Sequence, residues 1–76
     1  MSKKSCLNDI KIGEKAVVSH LNTEGEMRRR LLDIGLIENT EVICIGKSPL
    51  GDPGAYLIRG AVIAIRNKDS QNIYVY

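Results

Sequence analysis

The chain has 76 residues, 43% of them hydrophobic and 26% charged, with no low-complexity stretch; this is the profile of an ordinary folded domain and excludes a disordered tail. A chain of this length buries only about 60% of the surface its unfolded form exposes, so one modest core is expected, residues 1–76 are read as a single domain, and a second domain is excluded. The net charge of +2, with acids interspersed among bases, lacks the clustered electrostatic footprint that nucleic-acid binding needs.

At the start, Met1-Ser2-Lys3-Lys4 leads into polar sequence and not into a signal-peptide core. No apolar run approaches the ~20 residues of a bilayer span, so the expected location is the cytoplasm. The two cysteines, Cys6 and Cys44, have neither CxxC nor metal-ligand spacing and read as reduced thiols. Cys44, between Ile43 and Ile45, reads as a small buried hydrophobe.

Lys15 to Leu21 forms the first predicted strand from its valines. Thr23 with Glu26 has capping-box spacing and marks a helix start, although Gly25 weakens the first turn by about 1 kcal/mol relative to Ala. Met27, Leu31 and Ile34 fall on one helical stripe, with Leu32 widening it, while Arg29, Arg30 and Asp33 face away. Gly35 supplies a left-handed C′ position, and Leu36 folds back on the last turn as in a Schellman stop, giving a helix of roughly three turns.

Asn39 suits a left-handed turn into a second strand, Glu41 to Gly46. The loop from Ser48 to Gly54 carries two prolines and leaves Leu50 at its tip without an obvious local core. Ala55 to Arg59 and Ala61 to Arg66 follow as strands with a bend at Gly60, and Leu57, Ile63 and Ile65 are taken as their inward set. Asn72 to Tyr76 alternates as a last, half-buried strand. About five short strands and one helix, lying between the first and second strands, make a mainly β protein whose economical form is a bent sheet closing into a small barrel.

The residues in order resemble those of a known family. They are Leu7-Asn8-Asp9-Ile10-Lys11-Ile12-Gly13-Glu14-Lys15-Ala16-Val17-Val18, then Arg29-Arg30-Leu31-Leu32-Asp33-Ile34-Gly35-Leu36, then Thr40-Glu41-Val42 and Pro49-Leu50-Gly51-Asp52-Pro53. Ile63-Ala64-Ile65-Arg66 and Ile73-Tyr74-Val75 complete the set. Together they resemble the ferrous iron transport protein A (FeoA) family, which implies an SH3-like small barrel. Glu38-Asn39 stands where the family has Pro-Gly, and Asp69-Ser70 where it has Glu-Ala. Similar barrels form the C-terminal domain of metal-dependent iron repressors, but the helix-turn-helix part of those proteins has no counterpart in this sequence.

For function, no nucleophile with a base, no acid-base carboxylate pair and no phosphate-cradling glycine motif is found, which argues against an enzyme. No catalytic residue, metal ligand or cofactor is assigned, and the lone His20 reads as a strand-end side chain. The arginine run reads first as a solvated face, with Glu26 and Arg30, and Arg29 and Asp33, at i, i+4 spacing. Arg29, Arg30, Leu50 and Asp52 are the candidate partner-binding residues, since bidentate arginines and a stiff apolar loop suit protein docking. What the resemblance implies is an accessory of the ferrous iron transporter FeoB, a membrane protein with a GTPase domain. Contact with the membrane would be indirect, and no nucleic acid partner is expected. The sequence leaves open weak self-association through the last strand. The alternatives are a nucleic-acid-binding small barrel and a ferrous-ion sensor.

Overall fold

The protein is described here from a computed structural model that defines residues 5–76; the reading of Met1-Ser2-Lys3-Lys4 lies outside the described residues. A short strand β1 (Ser5–Cys6) runs into a 3-10 turn, Leu7–Asp9, followed by β2 (Lys15–Leu21) and α1 (Gly25–Asp33). Then come β3 (Glu41–Lys47), β4 (Gly54–Ile58), β5 (Ala61–Ile65), the single-turn α2 (Asn67–Ser70) and β6 (Ile73–Val75). The mainly β architecture expected from the sequence is present, with α1 between β2 and β3. Added to it are β1, the 3-10 turn and α2, each too short to impose a hydrophobic period of its own.

All neighbouring strands are antiparallel in the order β1-β6-β2-β3-β4-β5. Strand β2 serves two ladders. Lys15, Ala16 and Val17 pair with β3, whereas Val18, His20 and Leu21 pair with β6 across an irregularity between Val18 and His20. Such a bulge bends the strand and increases its twist, so the sheet curls around one core. Last in sequence, β6 lies between β1 and β2. The outer strands of the sheet are β1 and β5, and β5 is the one near α1.

Val18, Val42, Cys44, Tyr56, Ile58, Ile73 and Val75 are fully buried and fill the concave side, with Leu7 and Leu36 closing its ends. Cys44 therefore behaves as the small hydrophobe expected. The inward phase of β4 differs from expectation. Tyr56 and Ile58 point in and Leu57 is half-buried on the other face, because register pairs Tyr56 with Ile63 and Leu57 with the exposed Val62. Ile63 and Ile65 do face the core, Ile63 at its margin.

Helix α1 begins later than the Thr23–Glu26 spacing predicts. Glu24 is the N-cap, no side-chain capping bond forms, and the Thr23 hydroxyl is buried without a partner among the described residues. Gly25 is the cause: its φ of +69° makes the turn at the first helical residue and leaves Thr23 upstream of the cap. Leu31 is buried with Met27 and Ile34 against the core, but Leu32 is 38% exposed and does not widen the stripe. It lies about 100° further around the helix than Leu31. The helix end is a Schellman motif: Leu36 N donates to Leu31 O and Gly35 N to Leu32 O, both at 3.0 Å. Asn39 has the expected left-handed backbone, at φ 70°. The bend at Gly60 is a two-residue hairpin turn in which Arg59 and Gly60 have φ of 49° and 84°, as the twist of a tight hairpin requires.

Candidate functional site

Three features of the surface carry chemistry. The first is the wet face of α1. Arg28, Arg29 and Arg30 are all exposed, and Arg28 Nη1 donates to Leu21 O at 3.4 Å. The intrahelical pairs open to Arg29 and Arg30 do not form. Among the described residues the one ion pair is Lys15–Glu41 at 3.7 Å. An exposed helical pair gains only about 0.3–0.5 kcal/mol against the ordering of two long side chains, so both guanidinium groups stay available.

The second feature is the loop between β3 and β4. Ser48 Oγ donates to Asp52 O at 2.7 Å and accepts from Asp52 N at 3.0 Å, closing a tight ring below the tip. Asp52 Oδ1 then accepts from Asn67 N at 3.0 Å, which caps the first turn of α2. Leu50, held above this ring, is 93% exposed. The tip therefore does not pack over the barrel. Asp52 and Leu50 share one braced loop, whereas Arg29 and Arg30 sit on α1.

The third feature was not legible in linear spacing. Between α1 and β5 runs a groove of about 110 Å³ whose floor is Leu31, Ile34, Ile63 and Ile65. It continues into a basin of about 360 Å³ where Arg30 meets Arg66 and Lys68, with Asp69 the one acid in the lining. Arg66 and Lys68 join Arg30 only because α2 turns the chain back. A one-turn helix leaves no periodic signal by which to foresee it.

Elsewhere, His20 stacks on Tyr74 at 4.7 Å between centroids with an interplanar angle of 23°, and its Nδ1 lies 3.3 Å from Ser19 Oγ. The ring thus packs across the β2–β6 ladder at the strand end. Among the described residues no group of three or more His, Cys, Asp or Glu side chains gathers to hold a metal ion. Partial burial, and then the nearby Asp9 carboxylate, push the Cys6 thiol above its ordinary range. Among the described residues no helix is long and apolar enough to cross a membrane.

The FeoA domain model matches residues 6–76. A curated relative, the Fe(2+) transport protein A/Fe(2+) transporter FeoB fusion protein of Porphyromonas gingivalis (strain ATCC BAA-308 / W83), is 28% identical over 69 residues. That match covers 91% of this chain but only 8% of the length of the fusion protein. Among solved structures, the FeoA-like protein from Clostridium acetobutylicum superposes with a TM-score of 0.89 at 34% identity, covering all of this chain and 88% of the other. Stenotrophomonas maltophilia FeoA complexed with zinc, described as an SH3 domain protein, superposes with a TM-score of 0.83 at 23% identity over 93% of this chain and 88% of that one. At that identity the likeness speaks for the fold, which is the SH3-like barrel that the resemblance implied. With the family model spanning all but the first residues and the same barrel in its relatives, this chain belongs to the FeoA domain family.

Proposed function

We propose that this protein is a cytosolic accessory of a FeoB-type ferrous iron transporter and acts by protein–protein docking, modulating iron uptake or the GTPase cycle without chemistry of its own. The observation that carries the reading is the Porphyromonas gingivalis relative, in which an FeoA part and the transporter FeoB are one polypeptide. Fusion holds two modules at high effective concentration and makes their encounter intramolecular. The surface geometry fits a docking role: Leu50 stands out on a braced loop, and Arg29 and Arg30 keep unpaired guanidinium groups. A rigid apolar knob costs little entropy to bury, and an unpaired arginine can bind a carboxylate through two hydrogen bonds. Membrane association follows through the transporter alone.

The test is capture of the purified cytosolic part of a cognate FeoB by wild-type protein and by Leu50→Ala and Arg29→Glu. Both variants keep the wild-type circular dichroism spectrum, because neither side chain is in the core. Each weakens capture by about tenfold or more, as expected of an interface anchor. Capture by both variants equal to wild type rejects these surfaces, and no capture by wild type rejects the partner.

A further inference from the structure

We propose that the open edge of β5 and the groove beside it form a second binding site, one that takes an extended, acidic peptide segment as an added strand. Among the described residues strand β5 has a hydrogen-bonded neighbour, β4, on one side only. The two-residue turn makes Ile58 and Ala61 a hydrogen-bonded pair, and in an antiparallel ladder such pairs alternate with pairs whose amides point away. The N–H and C=O groups of Val62 and Ala64 therefore face outward, and no turn or loop hydrogen bond reaches them among the described residues. The strand reads Ala-Val-Ile-Ala-Ile and carries none of the charges, prolines or bulges that usually blunt an edge.

A strand laid along this edge would alternate its side chains. Those on the side of Ile63 and Ile65 would enter the apolar groove against Leu31 and Ile34 of α1. Those on the other side would lie by Val62, which is 62% exposed. This is the strand-addition mode of peptide recognition, in which backbone bonds supply affinity and alternate pockets supply selection. The end of the groove sets the charge of the occupant, since Arg30, Arg66 and Lys68 face a single Asp69 there. A segment carrying Asp or Glu past its apolar positions complements that basin. A second copy of this chain does not: pairing two β5 edges antiparallel about Ile63 sets Gly60 of each copy opposite Arg66 of the other and Arg59 opposite Asn67, so the segment brought to the basin carries no acid.

The site goes beyond docking through Leu50 and holds whichever protein supplies the segment. The probe is a fluorescein-labelled, C-terminally amidated peptide, Thr-Val-Thr-Val-Thr-Glu-Glu, titrated by anisotropy. Amide shifts are followed on ¹⁵N-labelled protein. The expected result is saturable binding with shifts at Val62, Ala64 and the groove face of α1. Replacing Glu-Glu by Lys-Lys, or using the Arg66→Glu/Lys68→Glu protein, weakens it by about tenfold or more. Replacing a valine of the peptide by proline, which removes a backbone donor without touching the protein, weakens it similarly. Leu50→Ala binds the peptide as wild type does, so transporter docking and this site fail separately. No binding at about 1 mM peptide, affinity indifferent to the charge swap, shifts confined to other strands, or concentration-dependent dimerisation through β5 would each overturn the proposal.

Discussion

Arg59, at the tip of the β4–β5 hairpin, lies across Gly35, at the end of α1: its Nε donates to Gly35 O at 3.3 Å, and its Cδ would be 2.6 Å from any Cβ placed on that glycine. Thr40 Oγ1 donates to the same carbonyl at 3.1 Å. The β4–β5 hairpin and the turn into β3 thus converge on one peptide group, which ties the end of the helix to both. Gly35→Ala is expected to lower stability by about 1–3 kcal/mol, from a left-handed φ that alanine resists and from crowding by Arg59. Arg59→Ala in the same background recovers the crowding part and leaves the backbone part. Urea denaturation of the two single variants and the double variant measures both.

Tyr56 presents the opposite case, a polar atom without its partner. The ring is fully buried beside Gly54, and its hydroxyl has no hydrogen-bond partner among the described residues; the nearby Ser70 hydroxyl is committed to Asn67 O at 3.4 Å. Tyr56→Phe is therefore expected to leave stability unchanged or to raise it by about 1 kcal/mol, because an unpaired buried hydroxyl costs free energy. A clear loss of stability in a thermal melt would show that the hydroxyl has a partner.

The same residue gives a pH dependence. Burial first, then the neighbouring Cys44, push the Tyr56 phenol above its ordinary value. Above pH about 10 the unfolded chain releases this proton while the folded chain retains it. The stabilisation is complete below that pH and is lost as pH rises toward the folded value. Wild type should lose stability on alkaline titration more steeply than Tyr56→Phe, measured as the denaturation midpoint at successive pH values. Parallel slopes would remove Tyr56 as the cause.

Periodic signals made the five longer strands, the helix and the Schellman stop legible in the sequence. Lys15–Leu21 falls where it was predicted, and Gly35 and Asn39 have the left-handed backbones their positions called for. What escaped were features set by tertiary partners. Ser5–Cys6 is a strand only because Val75 and Tyr74 pair with it, and the inward choice of Tyr56 over Leu57 depends on register with β5. Of the candidate binding residues, Leu50 was legible as a loop tip and Arg30 as part of a cationic run. That Arg66 and Lys68 share a basin with Arg30 depends on the turn through α2.

Two leucines separate core from surface. Leu7 sits in the 3-10 turn and is fully buried, whereas Leu50 is 93% exposed. Leu7→Ala should cost about 2–5 kcal/mol, the lost transfer free energy plus a cavity. Leu50→Ala should change stability by no more than about 0.5 kcal/mol. Denaturant midpoints decide between them. A Leu50 variant as unstable as the Leu7 variant would mean that the loop is packed in solution, and the docking assay with it would then report folding instead of contact.

Asp52 can be separated into a capping role and a contact role by two substitutions. Its carboxylate accepts from Asn67 N at 3.0 Å, and its backbone N donates to Ser48 Oγ at 3.0 Å, so the side chain ties the β3–β4 loop to α2. Asp52→Ala removes the acceptor and should cost about 1 kcal/mol, with faster amide exchange at Asn67. Asp52→Asn keeps an oxygen acceptor while removing the charge, so stability and exchange should stay near wild type. If the carboxylate also meets a cation on FeoB, Asp52→Asn weakens capture at unchanged stability. If its work is only to brace the loop, Asp52→Asn captures like wild type, and Asp52→Ala weakens capture in step with the loosened turn. Exchange rates and capture measured on the same two variants therefore tell bracing from contact at a residue whose structural bond is already accounted for.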